Sequence, residues 1–175
     1  SKICRSIPEK QPFEEAKKNF RYHNVLEAIS ITGRVYVVMR NYNISTQFLC
    51  LYSKRVKAYN ETQYKLALGA AAPPGWKYIR KFNTPALISK TGRHKRYNAV
   101  TYKFRQTDPP KLHKLMYINK QRSCLIFVEN RKSAREDASG RIPLECLYVF
   151  NDNCPGSTVT IYRPLCKQLR VLPPK

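Results

Sequence analysis

Acidic residues are scarce in this 175-residue chain: 11 Asp+Glu stand against 33 Lys+Arg, giving a formal charge of +22. Glycine is limited to 6 residues and tryptophan to one. The shortage of carboxylates removes the paired acids of general acid–base catalysis, and no Gly-rich phosphate loop or nucleophile elbow is present. No apolar run reaches the ~18–20 residues of a membrane-spanning helix. No charged-then-apolar signal segment opens the chain, so a secreted form is expected to be already processed. CxxC pairs are also missing, and His23, His94 and His113 stand apart from the cysteines and from one another. Structural zinc, which needs clustered ligands, is therefore not expected. With no catalytic constellation, the histidines read as surface residues. The chain reads as no enzyme, with no cofactor and no metal.

What is present is a globular composition, 42% hydrophobic and 11% aromatic. A length of this order matches one domain with a real core. Six cysteines spread over the whole chain favour a disulfide framework in an oxidising compartment. Two sequons, at Asn43 and Asn60, agree with secretion as candidate glycosylation sites.

Pro12 to Ile29 is the helical candidate: Glu14 and Glu15 follow Pro12 in a first turn, where the helix dipole favours acids. Phe13, Ala16 and Phe20 share one face, and a break before Val25 is left open. From Gly33 the period becomes two. Arg34–Tyr42, Gln47–Lys57, Thr62–Gly69, Trp76–Phe82, Arg96–Gln106, Leu112–Asn119, Cys124–Glu129 and Leu144–Phe150 read as eight strands. Short turn-forming connections make them an antiparallel meander, which removes its edges by closing as an up-and-down barrel. Pro155–Cys166 is expected to hold a short helix and Leu169–Lys175 a tail. The expectation is one domain over residues 1–175: an N-terminal helical segment (1–32), the barrel (33–150), and a C-terminal helix and tail (151–175).

Alternation assigns the faces. Trp76, Tyr78, Arg80 and Phe82 fall together; so do Tyr36, Val38, Arg40 and Tyr42; so do Tyr64, Leu66 and Leu68; and so do Val100, Tyr102 and Phe104. An eight-stranded barrel is wide enough for one small ligand. The cavity candidates are therefore Phe20, Tyr36, Arg40, Tyr64, Trp76, Tyr78, Arg80, Tyr102, Phe104, Phe127 and Tyr148. On outer faces and loops, Lys54, Lys57, Arg93, Lys95, Arg96, Lys103 and Arg105 are candidates for contact with a polyanion, the cluster from Arg93 to Arg96 being the densest. No specific nucleic-acid-binding motif accompanies them.

The order of features resembles the salivary lipocalins of ticks, the histamine-binding-protein family. The likeness rests on the N-terminal helix, the strand Val35-Tyr36-Val37-Val38-Met39-Arg40-Asn41-Tyr42, and a Cys on the second strand. It continues through Cys124 opening a strand, Glu145-Cys146-Leu147-Tyr148-Val149, Asn151-Asp152-Asn153-Cys154-Pro155-Gly156 and Tyr162-Arg163-Pro164-Leu165-Cys166. The resemblance implies an eight-stranded lipocalin barrel with flanking helices, secreted and capturing a host mediator. It also implies a Cys50–Cys166 bond, with Cys124–Cys154 closing the last hairpin and Cys4 left for Cys146. Cys4–Cys154 with Cys124–Cys146 is the arrangement left open beside it. Relatives that capture histamine or serotonin carry an Asp directly after the first late cysteine and a Glu-Leu-Trp on the next strand. Leu125 and Glu145-Cys146-Leu147-Tyr148 stand there instead, so an amine is disfavoured, with Glu129 and Glu145 as the acids still able to face inward. An anionic amphiphile, such as a fatty acid or leukotriene-like lipid, suits Arg40 and Arg80 better. A host glycosaminoglycan or host protein on the basic surface is the alternative partner.

Overall fold

A computed structural model describes residues 11–129, 132–137, 144–154 and 156–172, the side chains of 132–137 excepted. Eight strands follow in chain order: β1 (Val35–Arg40), β2 (Leu49–Ala58), β3 (Gln63–Ala71), β4 (Tyr78–Ser89), β5 (Ala99–Tyr102), β6 (Lys111–Ile118), β7 (Cys124–Glu129) and β8 (Lys132–Asp137). Each pairs antiparallel with the next, and β8 returns to β1, so the ring closes. Two short strands, β9 (Val159–Thr160) and β10 (Arg170–Leu172), pair with β1 and β4.

The ladders part at one end. β1 meets β2 only at Val35 and Tyr36, and further along the Ile161 N–H donates to Val38 O while the Cys50 N–H donates to Ile161 O. β4 meets β5 only at Leu87–Ser89, and its Tyr78–Arg80 end is flanked by β10. The barrel is thereby widened at the end where β1 and β5 finish.

The other end is plugged. The expected helix from Pro12 to Ile29 divides into a 3₁₀ helix, Lys17–Tyr22, and a short α-helix, α1 (Val25–Ile29). The break falls at Asn24, which adopts extended backbone angles and whose Oδ1 accepts from the Leu26 N–H, starting a new helix. Val25 then enters the barrel core with Val35, Leu66, Ile88, Val100 and Leu115.

The segment Leu144–Phe150 is not the eighth strand. It belongs to a helix, α2 (Leu144–Asn153), and the eighth strand is Lys132–Asp137. The spacing of Cys146, Val149, Phe150 and Cys154 is that of one helical face, which packs on Cys124, Ile126 and Val128 of β7. With Cys146 turned toward β7, the bond is Cys124–Cys146, so the expected Cys124–Cys154 and Cys4–Cys146 bonds do not form. The Cys50–Cys166 bond is present, spanning 116 residues. Cys154, one residue past α2, is buried with Cys146 and Phe150 of that helix, and Cys4 lies outside the described residues. Leu169–Lys175 is more than a tail, since β10 lies within it.

The histidines are buried, contrary to their expected surface placement. His23 Nδ1 lies 3.0 Å from His94 Nε2, and His94 Nδ1 lies 2.9 Å from Thr91 O. These contacts fit a His23 Nδ1–H donating to His94 Nε2 and a His94 Nδ1–H donating to Thr91 O, with Glu15 Oε2 3.8 Å from His94 Nδ1. Burial, with the His94 neighbour adding to it, depresses the His23 pKa from 6.5 to about 4. The folded protein then binds fewer protons than the unfolded chain between those values, so the contribution is complete above pH 6.5 and lost as pH falls toward 4. The expected loss is about 3 kcal/mol. Denaturant midpoints at pH 7.5 and 4.5 will show it, and His23→Gln will flatten that part of the profile; an unchanged profile would contradict a neutral, buried His23.

Candidate functional site

A cavity of about 500 Å³ opens at the widened end of the barrel. Its apolar wall is Val37 from β1, Leu51 from β2, Leu68 from β3, Phe82 from β4 and Phe104 beyond β5. Phe48 lies at the rim. Three guanidinium-bearing residues, Arg40, Arg80 and Arg105, share the lining. Among the described residues no carboxylate does.

Local strand geometry places each arginine. On β4 the alternation puts Arg80 and Phe82 on the face of Thr84, Ala86 and Ile88, which are buried inside, while Ile79 packs on the outer cluster around Cys50 and Cys166. On β1 the register shifts between Val37 and Met39. This bulge breaks the simple alternation that grouped Arg40 with Tyr36 and Val38: Val37 and Arg40 both line the cavity, while Tyr36 joins the outer cluster against Tyr162. β5 ends at Tyr102, so Arg105 sits in the following loop and lines the cavity, not the outer strand face where alternation had set it.

Arg40 is buried, with only 3% of its surface accessible to solvent. Its Nη2 donates to Asn43 O at 3.4 Å and its guanidinium lies 5.1 Å from the Tyr42 ring centroid. Its Nε has no hydrogen-bond partner. Burial pushes its pKa down, Tyr42 opposes that, and the neighbouring Arg105 charge adds to it. A buried cation facing a second cation is a costly arrangement unless an anion joins it.

Deeper in, Tyr102 lines this cavity and also a 50 Å³ void beneath α1. Its ring stacks on His113 at 4.3 Å. His113 Nε2 is 3.6 Å from Glu129 Oε2, an ion-pair distance and not a hydrogen bond, and Lys111 Nζ is 3.5 Å from Glu129 Oε1. His113 and Lys111 beside it hold the Glu129 carboxylate below its usual range, against the opposing effect of burial. Glu129 is thus an inner acid already engaged by Lys111 and His113.

The remaining sequence candidates separate. Phe127 lines the small void, and Tyr64 is core, its hydroxyl donating to Glu61 O at 2.9 Å. Phe20 stacks on His94 at 4.0 Å at the plugged end. Trp76 packs on the outer cluster and donates from Nε1 to Gln47 O at 2.6 Å. Tyr78 is exposed opposite Arg170 of β10, and Tyr148 is exposed on α2, where the helix takes it away from the barrel. Phe48, Leu51 and Gln106 line the cavity without having been singled out, although the alternation Leu51-Tyr52-Ser53 carried a signal for Leu51; Leu68 lines it as its grouping with Tyr64 and Leu66 implied. Asn43 and Asn60 are both exposed; Asn60 Oδ1 accepts from the Thr62 and Gln63 N–H groups and shapes the β2–β3 turn.

A closed antiparallel barrel, plugged at one end by an N-terminal helix and holding an apolar cavity at the other, defines a lipocalin. The family description "Tick histamine binding protein" matches residues 13–168, and the chain belongs to that family. In structure it is similar to Japanin from Rhipicephalus appendiculatus bound to cholesterol, at 11% identity and TM-score 0.58, covering 78% of this chain and 95% of that one. It is similar also to insecticyanin from the tobacco hornworm Manduca sexta, at 10% identity and TM-score 0.61, covering 95% and 92%. Lobster apocrustacyanin A1 matches at 10% identity and TM-score 0.53, covering 93% and 89%. No curated protein matches the chain in sequence. Lipocalins are ligand carriers, and no helix among the described residues is long and apolar enough to cross a membrane.

Proposed function

We propose that this chain is a secreted carrier that sequesters a host mediator, an anionic amphiphile of the fatty-acid or leukotriene type, and so suppresses inflammation or haemostasis. The observation that carries this reading is Arg40: a buried guanidinium with an unbonded Nε, next to Arg105 and without a carboxylate among the cavity's described lining residues. A ligand carboxylate would satisfy it by charge-assisted hydrogen bonds, and Val37, Leu51, Leu68, Phe82 and Phe104 would cover the tail. The volume lies in the range of small-ligand sites, and the cholesterol carried by Japanin gives a precedent for an apolar ligand in a related barrel.

A biogenic amine is the rival reading, with Glu129, the inner acid of β7, as the carboxylate available to it. Native mass spectrometry of protein purified from a secretory host tests the choice. A retained lipid carrying a carboxylate is the expected result, lost in Arg40→Met; a retained amine, or an Arg40→Met protein that keeps the same lipid, would contradict it.

A further inference from the structure

The plugged end of the barrel, opposite the cavity mouth, gathers the cations that the cavity does not use. Between Glu27 and Asp108 the only acidic residue is Glu61, while Lys54, Lys57, Lys65, Lys90, Arg93, Lys95 and Arg96 fall within that stretch. β2 finishes and β3 starts at this end, as β4 finishes and β5 starts, and the Ile88 N–H donates to Thr62 O at 2.8 Å, holding the two turns together. The register then sets Lys57 opposite Lys65, with Lys65 opposite Pro85 on β4. Two like charges directly opposed across a ladder are destabilising.

The loop after β4 is built to present its charges. Thr91 N–H donates to Asn98 Oδ1 at 2.8 Å, Asn98 Nδ2 donates to Thr91 Oγ1 at 2.8 Å, and His94 is buried against Phe20 and His23. Inward anchoring of Thr91, His94 and Asn98 leaves Arg93, Lys95 and Arg96 exposed on a fixed loop. The neighbouring carboxylate, Glu15, is already engaged: Thr91 Oγ1 donates to it at 2.9 Å and Lys114 Nζ lies 2.9 Å away. Among the described residues, none of Lys57, Lys65, Lys90, Arg93, Lys95 or Arg96 is in an ion pair. Lys57 and Lys90 lie instead over the rings of Tyr59 and Tyr97, each at 5.0 Å.

From this preorganised, uncompensated charge we propose that the plugged end binds a sulfated glycosaminoglycan chain, running from the Arg93–Arg96 loop onto the Lys57/Lys65 face of the sheet. A loop already anchored by Thr91, His94 and Asn98 loses little backbone freedom when an anion arrives. The Cys50–Cys166 and Cys124–Cys146 disulfides belong with an oxidising compartment, where glycosaminoglycan and not nucleic acid is the abundant chain polyanion. The surface lies at the far end from the cavity, so both ligands fit at once, and failure of one site leaves the other intact.

The test is binding to heparin oligosaccharide, measured across a salt series, with three variants. Arg93→Gln/Lys95→Gln/Arg96→Gln is expected to weaken binding about tenfold or more and to lower the slope of log affinity against log salt by about three. Lys77→Gln/Lys167→Gln/Arg170→Gln removes the same charge away from the loop and is expected to leave binding close to wild type. Lys65→Gln is expected to raise the denaturation midpoint while weakening heparin binding, because it relieves the Lys57–Lys65 opposition. Equal losses in both triple variants would reduce the interaction to net charge and overturn the assignment. So would equal binding of desulfated heparin, or tighter binding to phosphatidylserine vesicles or duplex DNA than to heparin.

Discussion

Arg40→Met is expected to make the ligand-free protein more stable and the carrier worse. Arg40 is buried, its Nε lacks a partner, its Asn43 contact is long at 3.4 Å, and Arg105 adds like charge. Methionine keeps much of the side-chain length and removes the buried charge, so a gain of about 1–3 kcal/mol is expected, by analogy with buried charges replaced by apolar residues. The same change removes the charge-assisted hydrogen bonds to a carboxylate, about 1.5–3 kcal/mol, which is a loss of roughly tenfold to a hundredfold in affinity. Urea denaturation and displacement of a fluorescent fatty acid measure the two effects. Opposite signs identify a site whose strain is relieved by its ligand. A variant that is less stable and still binds would make Arg40 a structural residue.

Loss of the Cys50–Cys166 bond is expected to be the largest single destabilisation. The bond spans 116 residues, for which chain entropy gives about 5 kcal/mol. Cys124–Cys146 spans 22, and the same reasoning gives about 3 kcal/mol. The long bond also fixes the C-terminal segment, whose Tyr162, Leu169 and Val171 cover Tyr36, Tyr52, Ala71 and Ile79 outside the barrel. Cys50→Ala/Cys166→Ala should therefore lower the denaturation midpoint more than Cys124→Ala/Cys146→Ala. It should also accelerate hydrogen exchange at Tyr78–Arg80, the part of β4 that β10 pairs with. Equal effects would mean that the C-terminal segment docks without the bond.

The barrel was legible because seven of its strands, from Val35 through Glu129, are rich in β-branched and aromatic residues between turn-forming connections. Some, such as β4, alternate, while β1 and β7 are short apolar runs buried on both faces. The eighth strand was not legible. Lys132–Asp137 carries almost no apolar signal and is a strand because β1 and β7 both pair with it. Leu144–Phe150 misled for the opposite reason, as its Leu, Tyr, Val and Phe suit a strand while Cys146 and Phe150 need a helix to be buried together. The disulfide error follows from that one element.

The cavity was half legible. Arg80 follows from alternation alone, and Arg40 was selected, though with the wrong neighbours, because a bulge between Val37 and Met39 has no sequence mark. Arg105 was set outside because its strand was taken past Tyr102, where the ladder stops. The histidines were misplaced because their burial depends on contacts across the chain: His23 and His94 are 71 residues apart.

Affinity across a headgroup series tests the central claim most directly. A palmitate-length chain ending in a carboxylate, a methyl ester, an alcohol or an amine presents one tail to the cavity and changes only the group offered to Arg40, Arg80 and Arg105. The carboxylate is predicted to bind at least about tenfold more tightly than the ester or alcohol, and the amine is predicted to bind weakest. An amine that binds as well as the carboxylate, or better, would contradict an anion site and return the cavity to a cationic ligand.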